Sequence, residues 1–251
     1  MMVSDNNRQH SVVLTADVGS YSVSTVSLAV QIAASMNARL RGLFIEDEDL
    51  LQVVGLPITR EISLTTARER PTSVDQMQRS MRSVARQFEQ TLKREAGALQ
   101  IAWSFDYVRG RARDKGMPQG VDVTYMILSQ PVSHRLRSRL ERAPRRILLI
   151  TNASQHQKQA LEVVLNRFSH EQVELTLVGE KPGAKLSTEI VQLRADKGRA
   201  LKLNVLSRER LFDQLALLGS GFDCAIISRH EKPEVLAKIL KTLSCPVILV
   251  A

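Results

Sequence analysis

Metal ligation and acid–base chemistry depend on histidine, cysteine and carboxylate side chains held at particular spacings. The chain has five histidines, His10, His134, His156, His170 and His230, and two cysteines, Cys224 and Cys245. None of them forms an H-E-x-x-H pattern or a Cys/His cluster at zinc spacing, so no metal site is expected. The densest carboxylate group is Glu46-Asp47-Glu48-Asp49. Four acids could hold a hard cation, but consecutive residues on a helix point in different directions. They suit the end of a strand followed by a short helix, whose N-terminal dipole favours negative charge. There is no G-x-S-x-G elbow, no Cys–His pair with a local signature and no paired carboxylates on a recognisable scaffold. Catalysis is not expected.

Both cysteines lie in or beside strongly apolar runs. Two thiols in a chain of 251 residues do not make a disulfide framework. Reduced core thiols are the expectation, with a redox pair or reactive thiol as the alternative.

Charge is the other chemical resource. The formal net charge is +9, and ten basic residues against three acids between Arg109 and Arg146 leave +7 in that one segment. Within it, Arg135, Arg139 and Arg142 share one helical face while Leu136, Leu140 and Ala143 share another. Such a cluster could bind an anion by bidentate contacts or give salt-dependent affinity for nucleic acid. It could equally be a solvated basic face. Phe105, Tyr107 and Tyr125 are the aromatics from 105 to 146, and no RNA-binding signature appears, which weakens the nucleic-acid reading.

These residues need a scaffold, and the sequence indicates an α/β one. Hydrophobic residues make up 43% and aromatics only 4%, so the cores must be built from Leu, Val, Ile and Ala. Short β-branched runs alternate with longer amphipathic ones, the pattern of βαβ units and a mainly parallel sheet. Strands are expected at Ser11–Ala16, Leu40–Ile45, Ile101–Val108 and Val121–Ser129, with helices at Ser24–Met36 and Val74–Ala98. A second series follows: strands at Arg146–Ile150, Val173–Val178, Leu201–Val205, Asp223–Ser228 and Cys245–Val250. Its helices are expected at Gln157–Phe168, Ser187–Lys197, Arg208–Leu218 and Pro233–Leu243. The two series match as a weak internal repeat: Val12 to Leu40 spans 28 residues and Ile147 to Val173 spans 26. We therefore expect two open, mainly parallel-sheet domains of layered α/β/α type, 1–144 and 145–251, divided near Pro144. Assigning Arg146–Ile150 to the second leaves the first sheet one strand short. The apolar stretch LLQVVGLPITREISL lies in an unusually long connection, and either covers its own sheet or makes a dimer contact. The N-terminus carries no secretory h-region and no apolar run reaches the roughly 20 residues of a membrane span. A cytoplasmic location is the expectation.

The opening LTADVGSYSVSTVSLAVQIAASMNARLRGLFIED resembles the start of a universal stress protein domain. The closing FDCAIISRHEKPEVLAKILKTLSCPVILV resembles that family's last two strands, with its Cys-Pro-Val entry to the final one. The resemblance covers nearly the whole chain as a tandem of two such domains, and implies a bacterial-type stress-response protein. In ATP-binding members a G-x2-G-x9-G-[ST] loop cradles phosphates, because close backbone approach and positive φ require glycine. Here Ser129 is followed by Gln130-Pro131, and Ser228 by Arg229-His230-Glu231-Lys232-Pro233. No two glycines anywhere lie three residues apart.

By resemblance, Asp17 matches the acid near the nucleoside, Ser20 its turn, Ile45 the adenine-lining position and Ser129 the end of the fourth strand. Asn152 stands in the second half where Asp17 does in the first. Asp17, Ser20 and Asn152 could instead simply cap helices and turns. The favoured reading is a tandem regulatory or interaction module that does not hydrolyse ATP, needs no cofactor, and pairs with a protein partner or with itself. The alternatives are a sensor of ATP, AMP or another phosphorylated ligand, using Asp17 and the arginines, and a nucleic-acid-associated protein.

Overall fold

A strand that is apolar on both faces must be covered on both faces. Strand β1 (Ser11–Ala16) is of this kind: Val12, Leu14 and Ala16 belong to one buried layer and Val13 to the other. The computed structural model describes residues 10–62, 66–110, 124–130, 145–151, 154–168, 172–179, 201–218 and 221–251. Beside β1 lie β2 (Arg39–Asp47) and β6 (Tyr125–Leu128), and β5 (Trp103–Gly110) pairs with the outer side of β2. Between them in sequence, β3 (Arg60–Ile62) and β4 (Glu69–Pro71) form a separate antiparallel hairpin.

The second series contributes β7 (Arg145–Ile150), β8 (Val173–Gly179), β9 (Leu201–Ser207), β10 (Cys224–Ser228) and β11 (Val247–Val250). All are mutually parallel, and the whole forms one nine-stranded sheet in the order β5-β2-β1-β6-β11-β10-β7-β8-β9. Its single antiparallel step among the described strands is β6–β11. The strand at Arg145–Ile150 pairs with β8 and β10, so it sits within the second series. The free edge of β6 is taken by β11 rather than by a missing strand.

Helices α1 (Val23–Ser35), α3 (Val74–Ala98) and α4 (Gln155–Arg167) cover one face. Helices α5 (Leu211–Leu218) and α6 (Pro233–Thr242) cover the other. Short α2 (Glu48–Val54) follows β2 directly. Helix α3 begins in a capping box: Ser73 Oγ accepts from Gln76 N–H at 3.3 Å, while Gln76 Oε1 accepts from Ser73 N–H at 3.2 Å. Its stripe of Met81, Phe88, Leu92 and Ala96 is fully buried against the sheet, as its periodicity requires.

Several boundaries differ from those expected, each for a local reason. The strand expected from Ile101 starts at Trp103, because α3 ends with Gln100 at φ 54° and Ile101 N–H turns back to Ala96 O at 3.0 Å. Helix α4 starts two residues early because Ser154 Oγ accepts from Gln157 N–H at 3.3 Å. Arg208–Arg210 is a 3₁₀ turn ahead of α5 rather than α-helix. Strand β11 begins after Pro246, which has no N–H to give a ladder, although its carbonyl accepts from Ala225 N–H at 3.0 Å. The helix expected at Ser187–Lys197 and the start of the strand expected from Val121 lie outside the described residues.

Candidate functional site

In an open α/β sheet, ligands collect at the carboxyl ends of strands where the chain reverses its direction of travel across the sheet. From β1 the chain moves outward to β2 and β5, then returns to β6 on the other side; β7, β8, β9 and β10 do the same. The two switch points are β1–β6 and β7–β10.

At β1–β6 the structure brings Asp17 and Ser129 to the same end of neighbouring strands. Asp17 Oδ1 accepts from the N–H groups of Gly19 at 2.7 Å and Ser20 at 2.9 Å. Asp17 N–H in turn donates to Ser20 Oγ at 2.9 Å. The two residues therefore close a reciprocal turn, and Ser20, 2% exposed, faces inward. Ser129 N–H donates to Thr15 O at 3.1 Å, extending the ladder. Ile45 is a core residue, buried with Val13, Leu43 and Met126. Arg135, Arg139, Arg142 and Asn152 lie outside the described residues.

The β7–β10 switch point is also internally bonded. Thr151 Oγ1 donates to Gln157 Oε1 at 3.2 Å, and buried Gln157 donates from Nε2 to Ile150 O at 2.9 Å. Ser228 Oγ accepts from His230 N–H at 3.2 Å.

The described members of the basic segment are ion-paired within the fold. Arg109 lies 3.7 Å from Glu46 and 3.6 Å from Glu48. Arg145 contacts Asp223 at 3.1 Å, and Arg146 lies 3.5 Å from Glu174. The acidic run is divided in the same way. Buried Glu46 accepts from Tyr107 OH, and Asp47 caps α2 by accepting from Asp49 N–H at 3.0 Å. Among the described residues no group of three or more His, Cys, Asp or Glu could hold a metal. Cys224 and Cys245 are free and buried. Burial pushes the Cys224 thiol up to about 12 and the Cys245 thiol well above its ordinary value, so neither offers a thiolate near neutrality.

One cleft was not foreseen. Because β11 runs antiparallel to β6, the start of α1 lies beside the amino ends of β7, β10 and β11. Between them and the end of α4 is a cleft of about 250 Å³. Arg145, Asp223 and Ser244 line it together with Ser22, Ser24 and Thr25 of the α1 start. Arg167, in the last turn of α4, reaches across to α1. Its Nη1 donates to Ser27 Oγ at 3.2 Å and Gln31 Oε1 at 3.0 Å, and its Nη2 to Ser24 O at 3.3 Å. Burial pulls its pKa below the ordinary arginine value; Cys224 and Glu95 oppose that shift and the like charge of Arg145 adds to it. No spacing in the sequence joins residues 22, 145, 167 and 244: the parallel pairing of β7, β10 and β11 gathers the last three, and the antiparallel joint brings the α1 start to them.

No protein-family model matches the chain, and no curated protein is similar to it. Among solved structures it is similar to a putative universal stress protein from Pseudomonas aeruginosa UCBPP-PA14. That match has 11% identity and a TM-score of 0.39, covering 97% of this chain and 93% of that one. It is also similar to Acinetobacter baumannii MurG, with 15% identity and a TM-score of 0.25, covering 88% and 73%.

Proposed function

We propose that this chain is a regulatory or interaction module built from two halves of universal stress protein type, 1–144 and 145–251, and that it does not turn over ATP. The observation that carries the reading is the strand order. The arrangement β5-β2-β1-β6 recurs as β9-β8-β7-β10, and β11 joins the two through its antiparallel pairing with β6. One molecule thus contains what two copies of a single half would otherwise build.

The absence of catalysis is supported by the site chemistry. The sequence has no phosphate-cradling glycine loop, Asp17 Oδ1 is held within its own turn by the Gly19 and Ser20 N–H groups, and both thiols are buried. An interaction role is supported by the connection after β2. Leu51 and Val54 pack inward, whereas Val53, Leu56, Ile58 and Ile62 are exposed, Ile58 to 85%. No helix among the described residues is long and apolar enough to cross a membrane.

Thermal unfolding with ATP, ADP, AMP and cyclic nucleotides at fixed salt tests the proposal. No stabilisation by any of them is expected, and no phosphate release from ATP. A millimolar nucleotide with micromolar affinity would add about 4 kcal/mol; that result would replace this reading with a nucleotide sensor at the β1–β6 crevice.

A further inference from the structure

We infer that the cleft between α1, α4 and the amino ends of β7, β10 and β11 binds a small organic oxyanion, a phosphate monoester or carboxylate carrying one apolar ring. A partly buried cation is normally matched by a carboxylate or other anion. Arg145 has such a match in Asp223. Arg167 has no carboxylate in direct contact among the described residues: its acceptors are a hydroxyl, a side-chain amide and a backbone carbonyl, and Glu95 acts on it only from beyond ion-pair range.

Helix α1 adds to the same demand. Its N-cap Ser22 makes no side-chain cap, its Oγ lying instead 2.7 Å from Ser24 Oγ, and the first turn contains no acid. The positive end of a 13-residue helix therefore lies beside the Arg145 and Arg167 guanidinium groups, and Asp223 is already held by Arg145 Nη1 at 3.1 Å and Arg146 N–H at 2.8 Å. An oxyanion seated there would accept from Arg167 and from the first-turn amides.

The remaining walls set the rest of the ligand. Leu28, Val164, Phe168, Phe222 and Pro246 present an apolar lining. A volume of about 250 Å³ falls below the ~300–1,000 Å³ of pockets for drug-sized molecules, so a single ring fits better than a nucleotide. None of Asp17, Ser20, Ile45 or Ser129 lines this cleft, although its Ser22 follows the Asp17–Ser20 turn by two residues.

The test uses the full-length protein with three probes at constant ionic strength: phenyl phosphate, benzoate and inorganic phosphate. Amide and arginine side-chain NMR shifts of Ser24, Thr25 and Arg167 are followed up to about 10 mM probe, enough to load a site of millimolar Kd. Phenyl phosphate or benzoate is expected to move all three signals and to bind more tightly than inorganic phosphate; which of the two binds better assigns the head group. Arg167→Gln is expected to weaken binding by roughly tenfold, the loss of one charge-assisted contact, while Lys93→Gln on the exposed side of α3 leaves it unchanged. Silence of all three signals with every probe overturns the inference. So does inorganic phosphate binding as tightly as the ring-bearing probes, or binding that survives Arg167→Gln. Should that variant fail to fold, the unmodified protein's shifts decide alone.

Discussion

Ile127 of β6 stands directly opposite Ile248 of β11 across the antiparallel step of the sheet, and both are fully buried in the layer beneath α1 and α4. Four residue pairs make this joint, so the unity of the sheet rests on a short seam. The chain's only tryptophan, Trp103, lies on β5 at the far edge of the first series. Ile248→Ala should cost about 2–4 kcal/mol. If the sheet unfolds as one unit, Trp103 fluorescence and far-UV circular dichroism will shift together to lower denaturant. A Trp103 transition left in place would show that the two series unfold separately.

The close packing of α3 on β2 gives a second prediction. A Cβ added at Gly42 would meet Leu92 Cδ2 at 2.7 Å, Phe88 Cζ at 3.3 Å and Phe105 Cδ2 at 3.4 Å. All three side chains are packed in or against the same core, leaving little room to give way. Gly42→Ala should destabilise by about 1–3 kcal/mol, the range for overpacking, read as a lower denaturation midpoint. Gly97→Ala, with nothing within 4 Å of the added carbon, is the control and should be neutral or mildly stabilising.

The strands and long helices were legible because their signals are local. The stripe of α3 and the apolar run of β10 each state their environment within one element. The boundaries were less so: nothing in Gln100 or Ile101 as residue types announces a left-handed helix end. The candidate site divided along the same line. Asp17 and Ser20, three residues apart, could be read as a turn, and they form one. Ser24 and Arg167 meet because β11 pairs antiparallel with β6, a relation between distant segments that no periodicity encodes.

Gln100 leads to a third prediction. It holds φ 54° at the end of α3, as Asn37 holds φ 48° at the end of α1. The left-handed conformation costs a side-chain-bearing residue about 1–2 kcal/mol, less for asparagine. Gln100→Gly should therefore stabilise by about 1 kcal/mol after glycine's extra unfolded-state entropy is subtracted. Asn37→Gly should gain less. A scanning calorimetry comparison that ranked Asn37→Gly above Gln100→Gly would contradict this account.

Alkali should unfold the protein through groups that must remain neutral inside it. Burial raises the Cys224 thiol from 9.0 to about 12. Tyr107 rises from 10.0 to about 12, first by burial and then by donating to the Glu46 carboxylate. A folded-state pKa above the unfolded one means that the unfolded chain releases its proton first as pH rises. The contribution of Cys224 is therefore complete below pH 9 and lost as pH climbs towards 12; that of Tyr107 is complete below pH 10 and lost over the same upper range. Tyr107 is 38% exposed, so solvent screening reduces its share, and the two buried thiols, Cys224 and Cys245, should dominate together. Denaturation midpoints measured across pH 8–11 should fall steadily from about pH 9 in the unmodified protein. Cys224→Ala should reduce the lower part of that slope, with Cys245 sustaining the remainder, while Tyr107→Phe should alter only the region above pH 10. A slope unchanged by Cys224→Ala would mean that other groups control alkaline stability.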